Sequence, residues 1–302
     1  MNKELFKNQL KQRLEEITEC QVKIQTNHKN NGVILESLII MRKGRNVYPT
    51  IYIDIWWDAY KAGESFESII TRVLEWEKKT AVDNIMDFDF FLNFDKVKEN
   101  LRFKIINTEK NIEILNSIPH KDFLDLSKVY MVEVSTPGIG KGTVLISNAH
   151  MEMWGISWEE LDRYATEQTE EKNILCISDR KHIIKELMGE IVEEEETDIP
   201  DLAIPQSEMY MFTNEERCYG ASVLLYQDVI KNFALDIGDD LYILPSSTHE
   251  LIVIPARIAW YIGEKHLKAM VQEVNATQVQ PEEFLSDNVY HYNRDTDKIE
   301  IV

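Results

Sequence analysis

The chain has 302 residues with a formal net charge of −20, and 44% of its residues are apolar. This apolar content and six tryptophans suffice for a packed core and exclude a disordered chain. The excess of carboxylates repels phosphate groups and therefore excludes a nucleic-acid partner.

The negative charge lies mainly in the later part of the chain. Residues 1–105 hold 17 Lys and Arg against 16 Asp and Glu, whereas residues 106–302 hold 16 against 37. This asymmetry predicts a well-solvated acidic surface. The alternative is an acidic face that binds a basic protein partner, for instance by imitating DNA.

Few sequence features bear on the cellular compartment of the protein or on a bound cofactor. No apolar run reaches 18 residues, so no membrane span is predicted, and the charged, helical stretch 1–17 does not resemble a signal peptide. Cys20, Cys176 and Cys218 are odd in number and far apart, which predicts reduced thiols in a cytoplasmic protein and no zinc site. No motif predicts a metal or a cofactor.

Residues 1–120 predict a first domain built from a helix, a β-meander and further helices. Apolar residues at helical spacing predict the opening helix over 3–17. Asn31-Gly32 predicts a hairpin turn, because both residues tolerate positive φ. A third strand is predicted over 46–55. One face of that strand carries Val47, Ile51, Ile53 and Ile55.

Aromatic residues follow the meander. Trp56 and Trp57 are predicted to pack in the core at the end of a strand; the alternative is that they stack on a sugar or a base. Ser65 predicts the cap of an amphipathic helix that carries Phe66, Ile69, Ile70, Val73 and Leu74 on one face. The segment 83–101 is rich in phenylalanine, is predicted to be helical at its end, and favours core packing over an exposed ligand groove.

The stretch EVSTPGIGKGTVLIS, residues 133–147, resembles a phosphate-binding loop, with Gly138, Gly140, Lys141 and Thr143 as the candidate ligands. Such a loop needs a helix directly after the lysine, so that the helix N-terminus meets the anion. Here a β-branched, apolar run follows Lys141, and it favours a strand. The segment therefore predicts a β-hairpin, with nucleotide binding as the alternative.

Residues 121–302 predict a second, acidic domain of strands and helices. Ser157 begins one helix as part of a capping box, and a second amphipathic helix is predicted around 183–191. A linker follows at 200–205. The remaining predicted elements are a strand over 209–214, a helix around 229–237 ended by Gly238, a hairpin over 241–255, a helix around 267–274 and a strand over 288–293.

The hairpin over 241–255 contains the most reactive side chains of the sequence. Ser246, Ser247, His249 and Glu250 include the residue types of a serine hydrolase. Neighbours in an extended chain point to alternate faces, and no GxSxG motif presents a nucleophile. A turn whose hydroxyls satisfy its own backbone is the favoured interpretation. The four residues remain a candidate binding patch.

Together these elements predict an α+β fold, with antiparallel sheets packed against amphipathic helices in two lobes. Several segments also resemble a family of uncharacterised proteins from gut-dwelling Gram-positive anaerobic bacteria, from about residue 30 to the end. The resemblance implies a bacterial cytoplasmic protein and implies no reaction and no site residues. The segments are NVYPTIYIDIWWDAYKAGES, SIPHKDFLDLSKVYMV, ISNAHMEMWGISWEEL, NEERCYGASVLL, LYILPSSTHELIVIP and VNATQVQPEEFLSDNVYHYNRDTDKI.

The sequence thus favours a non-enzymatic binding or interaction protein whose acidic second half contacts a partner. The alternative is an enzyme of unknown chemistry. It would use a nucleotide through residues 138–143, or it would be a hydrolase near His249.

Overall fold

The computed structural model describes residues 1–45, 47–80, 89–136, 140–179 and 208–302. It confirms the α+β class with antiparallel sheets. The predicted helix at 183–191, the linker at 200–205 and Gly138 lie outside the described residues.

The chain forms two compact units. The N-terminal unit contains Met1–Val97 and Glu133–Val144. The C-terminal unit contains Lys98–Val132 and Leu145–Val302. The assignment of 1–120 and 121–302 as domains stays a prediction.

The N-terminal unit opens with the predicted helix and hairpin. Helix α1 spans Lys3–Thr18, and the antiparallel strands β1 and β2 span Gln21–His28 and Ile34–Met41. The turn between the strands places Asn31 at φ 60° and Gly32 at φ 68°, as predicted for this pair.

The third strand of the meander is shorter than predicted. Strand β3 contains only Ile51–Tyr52, and helix α2 begins directly afterwards and spans Ile53–Lys61. The prediction that Ile53 and Ile55 share a strand face is therefore wrong: Ile53 is fully buried, whereas Ile55 is 63% exposed. Ile53 and Trp56 are three residues apart and lie on one helical face, so the helix buries both in the core.

The core of this unit joins α1, the sheet and two further helices. Helix α3 spans Phe66–Thr80, and Ser65 caps it by accepting a hydrogen bond from the Ser68 N–H at 3.2 Å. Core packing of the tryptophans is confirmed, because Trp56 is buried and the Trp57 ring lies 5.4 Å from the Phe6 ring. The buried set is Phe6, Leu10, Leu14, Val22, Leu38, Ile40, Ile51, Ile53, Trp56, Ile69, Ile70 and Val73.

The described end of the phenylalanine-rich segment is helical, as predicted. Helix α4 spans Asp89–Leu92 and helix α5 spans Phe94–Val97. Phe90, Phe91 and Phe94 are half-buried there.

A second sheet contains four strands. Strands β4 (Leu101–Asn107) and β5 (His120–Phe123) flank β6 (Leu126–Thr136), and β7 (Gly140–Leu145) also pairs with β6. The predicted strand after the glycine loop is thus confirmed. The short helix α6, Ile112–Leu115, connects β4 to β5.

Helix α8 covers this sheet. It spans Trp158–Lys172 after the shorter α7, Asn148–Trp154, and Ser157 caps it as predicted. Asp162 of α8 accepts hydrogen bonds from Lys128 and Tyr130 of β6. Burial lowers the pKa of the Lys128 ammonium group. Burial alone would raise the pKa of the Asp162 carboxyl, but its hydrogen bonds and the charge of Lys128 hold that pKa below its ordinary value.

The third sheet is six-stranded and antiparallel. Its strands and the helices between them are β8 (Leu175–Asp179), β9 (Tyr210–Asn214), α9 (Val229–Ile237), β10 (Leu241–Leu244), β11 (Leu251–Pro255), α10 (Ala256–Ile262), α11 (Glu264–Thr277), β12 (Tyr290–Asn293) and β13 (Lys298–Ile301). The strand order is β13-β12-β10-β11-β9-β8. The hairpin, strands and helices predicted over residues 209–293 are found here, and Gly238 has φ 73° at the end of α9, as a helix-terminating glycine should.

Candidate functional site

The four candidate binding residues lie in the turn between β10 and β11. Ser247 is buried, and its hydroxyl accepts the backbone N–H of His249 at 3.0 Å. The carbonyl of Ser246 accepts the N–H of Leu285 at 3.0 Å. The interpretation as a turn that satisfies its own backbone is confirmed for Ser247.

Both ring nitrogens of His249 have partners. Nδ1 accepts the backbone N–H of Tyr219 at 3.2 Å, and Nε2 lies 3.4 Å from Oε1 of Glu283. The Tyr219 ring stacks on the imidazole with centroids 5.8 Å apart, and Nζ of Lys104 lies 4.4 Å from the Tyr219 centroid. Because Nδ1 accepts, the proton of the neutral ring lies on Nε2 and points to Glu283. His249 therefore holds structure together, and neither nitrogen is left to activate a serine.

Glu250 completes this patch as a weakened acid. Burial raises the pKa of its carboxyl, and the nearby His249 and the hydroxyl of Ser247 oppose that shift. The structure thus brings Ser247, His249 and Glu250 together, in a turn and without the geometry of a hydrolase triad.

The glycine-loop residues lie in a strand. Gly140, Lys141 and Thr143 belong to β7, and Nζ of Lys141 lies 3.2 Å from Oε1 of Glu133 on β6. The next helix begins only at Asn148. Residues 140–147 therefore present no helix N-terminus to a phosphate directly after the lysine.

A cleft in the N-terminal unit has the size of a ligand site. It lies where the ends of α1 and α3 meet the chain just after β2, and its volume is about 590 Å³. Small-molecule sites range over about 300–1,000 Å³. We call it the arginine cleft. Its lining residues are Ile17, Thr18, Arg42, Arg45, Leu74, Glu77 and Lys78.

The arginine cleft is positively charged around one buried carboxylate. Glu77 is only 1% exposed and accepts two hydrogen bonds from Arg42, from Nε at 2.8 Å and from Nη2 at 2.7 Å. Nη1 of Arg45 lies 3.8 Å from the same carboxylate. The hydrogen bonds to Glu77 raise the pKa of the Arg42 guanidinium. Among the lining residues that the structure describes, Arg42, Arg45 and Lys78 are cations and Glu77 is the one anion, so these residues sum to a charge of about +2.

Sequence reasoning missed this cleft. Its members come from three separate segments, near residues 17, 42 and 77, and no motif joins them. The available signal was weak: the first 105 residues are close to neutral in a chain that is otherwise strongly acidic.

Within the described ranges, no group of three or more His, Cys, Asp or Glu residues could hold a metal ion. No helix there has the length and apolar character to cross a membrane.

Fold and site together define an α+β protein with a charged, ligand-sized cleft and a histidine whose two ring nitrogens both have structural partners. A family model matches residues 2–294, and the chain belongs to that family, a family of unknown function, DUF5688. The sequence resemblance to an uncharacterised family over nearly the whole length is confirmed at that level. No curated protein and no solved structure matches this chain.

Proposed function

We propose that the chain is a non-enzymatic binding protein that takes a small organic anion in the arginine cleft. The observation that carries this proposal is a charge of about +2 on the described lining residues of a ligand-sized cleft, in a protein whose overall charge is −20. A soluble protein does not need a local cluster of cationic side chains, whereas recognition of an anion requires one.

The side chains of the cleft suit a carboxylate or a phosphate monoester. A guanidinium has five N–H donors, and Glu77 takes only two from Arg42. Glu77 thereby fixes the orientation of the Arg42 guanidinium, so the Arg42 side chain loses less conformational freedom when an anion binds. Ile17 and Leu74 supply apolar contact for a hydrocarbon part of the ligand.

Isothermal titration with a panel of aliphatic carboxylates and phosphate monoesters tests the proposal. Arg45→Gln should weaken the binding of the best ligand at least tenfold, because a charge-assisted hydrogen bond is lost. Lys79→Gln is the matched control: like Arg45→Gln it replaces one cation by glutamine, but at an exposed position of α3 that does not line the cleft. Equal losses in both variants, or no binding across the panel, would refute the proposal.

A second candidate function is contact with a basic protein partner in the bacterial cytoplasm. The charge of residues 106–302 favours it, and helix α8 adds exposed carboxylates at helical spacing, Glu159, Glu167 and Glu171. Reversing these three charges should abolish salt-sensitive binding to a basic probe such as polylysine. Retained binding in the triple variant would argue against this surface.

The enzymatic alternatives need separate tests. Titration with ATP and GTP, with and without Mg²⁺, beside Lys141→Ala tests nucleotide use through residues 138–143. Ester hydrolysis that is lost in His249→Ala, with folding intact, would support a hydrolase at the β10–β11 turn.

A further inference from the structure

A strained loop packs against the β10–β11 turn of the C-terminal unit. We call residues 215–220 the 215–220 loop. The side chain of Asn214 holds it at Cys218, donating to the carbonyl at 2.8 Å and accepting the N–H at 3.1 Å. The N–H of Tyr219 donates to Nδ1 of His249 at 3.2 Å. The donor of this hydrogen bond is a backbone N–H, and its acceptor is an imidazole nitrogen, which can take up a proton.

The loop adopts an unfavourable backbone conformation. Arg217 and Tyr219 have φ values of 50° and 54°, in the left-handed region that residues other than glycine avoid. Gly220 lies so close to the carbonyl of His249 that a Cβ there would be 2.3 Å from that oxygen. The surrounding contacts therefore hold the loop in place against its own preference.

We propose that His249 is a pH-sensitive latch, which holds the 215–220 loop when neutral and releases it when protonated. The neutral ring accepts the Tyr219 N–H at Nδ1. An imidazolium carries a proton on both nitrogens, so an N–H group would then face the N–H of Tyr219. The hydrogen bond becomes a repulsive contact, and the strained backbone can relax.

Two carboxylates and one ammonium group lie around the ring. Glu283 faces Nε2 at 3.4 Å, and Glu250 is the next residue of the turn after His249, so two carboxylates stabilise the imidazolium. Lys104 of β4 opposes it, since its ammonium group lies near the Tyr219 ring that stacks on His249. Tyr219 itself supplies the N–H and the stacked ring. The proton comes from solvent, since His249 is partly exposed.

Residue-resolved amide hydrogen exchange tests the latch. The protection factor of the Tyr219 amide should fall at least tenfold between pH 7.5 and pH 5.0. The amide of Val253, in the middle of β11, should keep its protection over the same range. Equal loss at Val253 would mean that the whole unit unfolds in acid, and this would overturn the proposal.

Two variants isolate the titrating group. In His249→Asn, the amide oxygen can occupy the position of Nδ1 and accept the Tyr219 N–H without titrating, so protection should stay constant with pH. Glu283→Gln should shift the midpoint of release to lower pH, because a carboxylate that stabilises the imidazolium is removed. Constant protection of Tyr219 in the unaltered protein, or a tenfold loss that persists in His249→Asn, would overturn the latch.

Discussion

The ion pair in the arginine cleft predicts an asymmetric response to mutation. Glu77 is almost completely buried, whereas the side chain of Arg42 is 34% exposed. Removing one partner of a buried pair costs about 3–5 kcal/mol, since it leaves the other charge buried and uncompensated. Arg42→Met leaves Glu77 with Arg45 at 3.8 Å, so we expect a loss near the lower end, about 3 kcal/mol.

The reverse substitution should cost less. Glu77→Gln keeps an amide oxygen that can accept one hydrogen bond, and water can reach the exposed part of Arg42. We expect a loss of about 1–2 kcal/mol, in the range for one weakened hydrogen bond to a charged group. Arg42→Met combined with Glu77→Gln should lose less than the sum of the single variants, by about 1 kcal/mol or more, because the two side chains are in direct contact.

Urea unfolding followed by tryptophan fluorescence measures these differences. The midpoint should move while the slope of free energy against urea stays constant, because the surface exposed on unfolding does not change. Equal losses in the two single variants, or strict additivity in the double variant, would refute the argument that burial of Glu77 sets the cost.

Three further predictions concern packing and charge. Gly220→Ala should destabilise the protein by about 1–3 kcal/mol in thermal unfolding, through overpacking against a fixed carbonyl, whereas Gly142→Ala should be neutral because its added Cβ meets nothing closer than 3.9 Å. Asp162 has a pKa held below the ordinary value, so its contribution to the free energy of unfolding is complete above about pH 4 and is lost as pH falls through the folded pKa. The urea midpoint of Asp162→Asn should therefore approach that of the unaltered protein below pH 4. Ile53→Ala should cost about 2–5 kcal/mol and Ile55→Ala less than about 0.5 kcal/mol, whereas a strand would make the two losses similar.

Helices and hairpins of the fold could be predicted because their signals are local. Asn31-Gly32, the Ser157 cap and Gly238 each place a particular residue type at a position of defined backbone geometry. The strand after Lys141 was predictable for the same reason, because β-branched side chains favour it.

The wrong strand prediction for residues 53–55 shows the limit of local sequence signals. The run IYIDIWWDAY fits both a period of two and a helical period, and propensity alone favours the strand. The segment forms a helix because the helix buries Trp56 and brings Trp57 into contact with Phe6, which lies about fifty residues earlier in the sequence.

The sequence by itself determined the fold class, most element positions, the acidic charge and membership of the family. Only the tertiary structure decided the candidate site. Arg42 reaches Glu77 across 35 residues, and His249 reaches Tyr219 across 30. Such pairs have no fixed spacing in the sequence, because packing of helices and strands brings them together from distant segments.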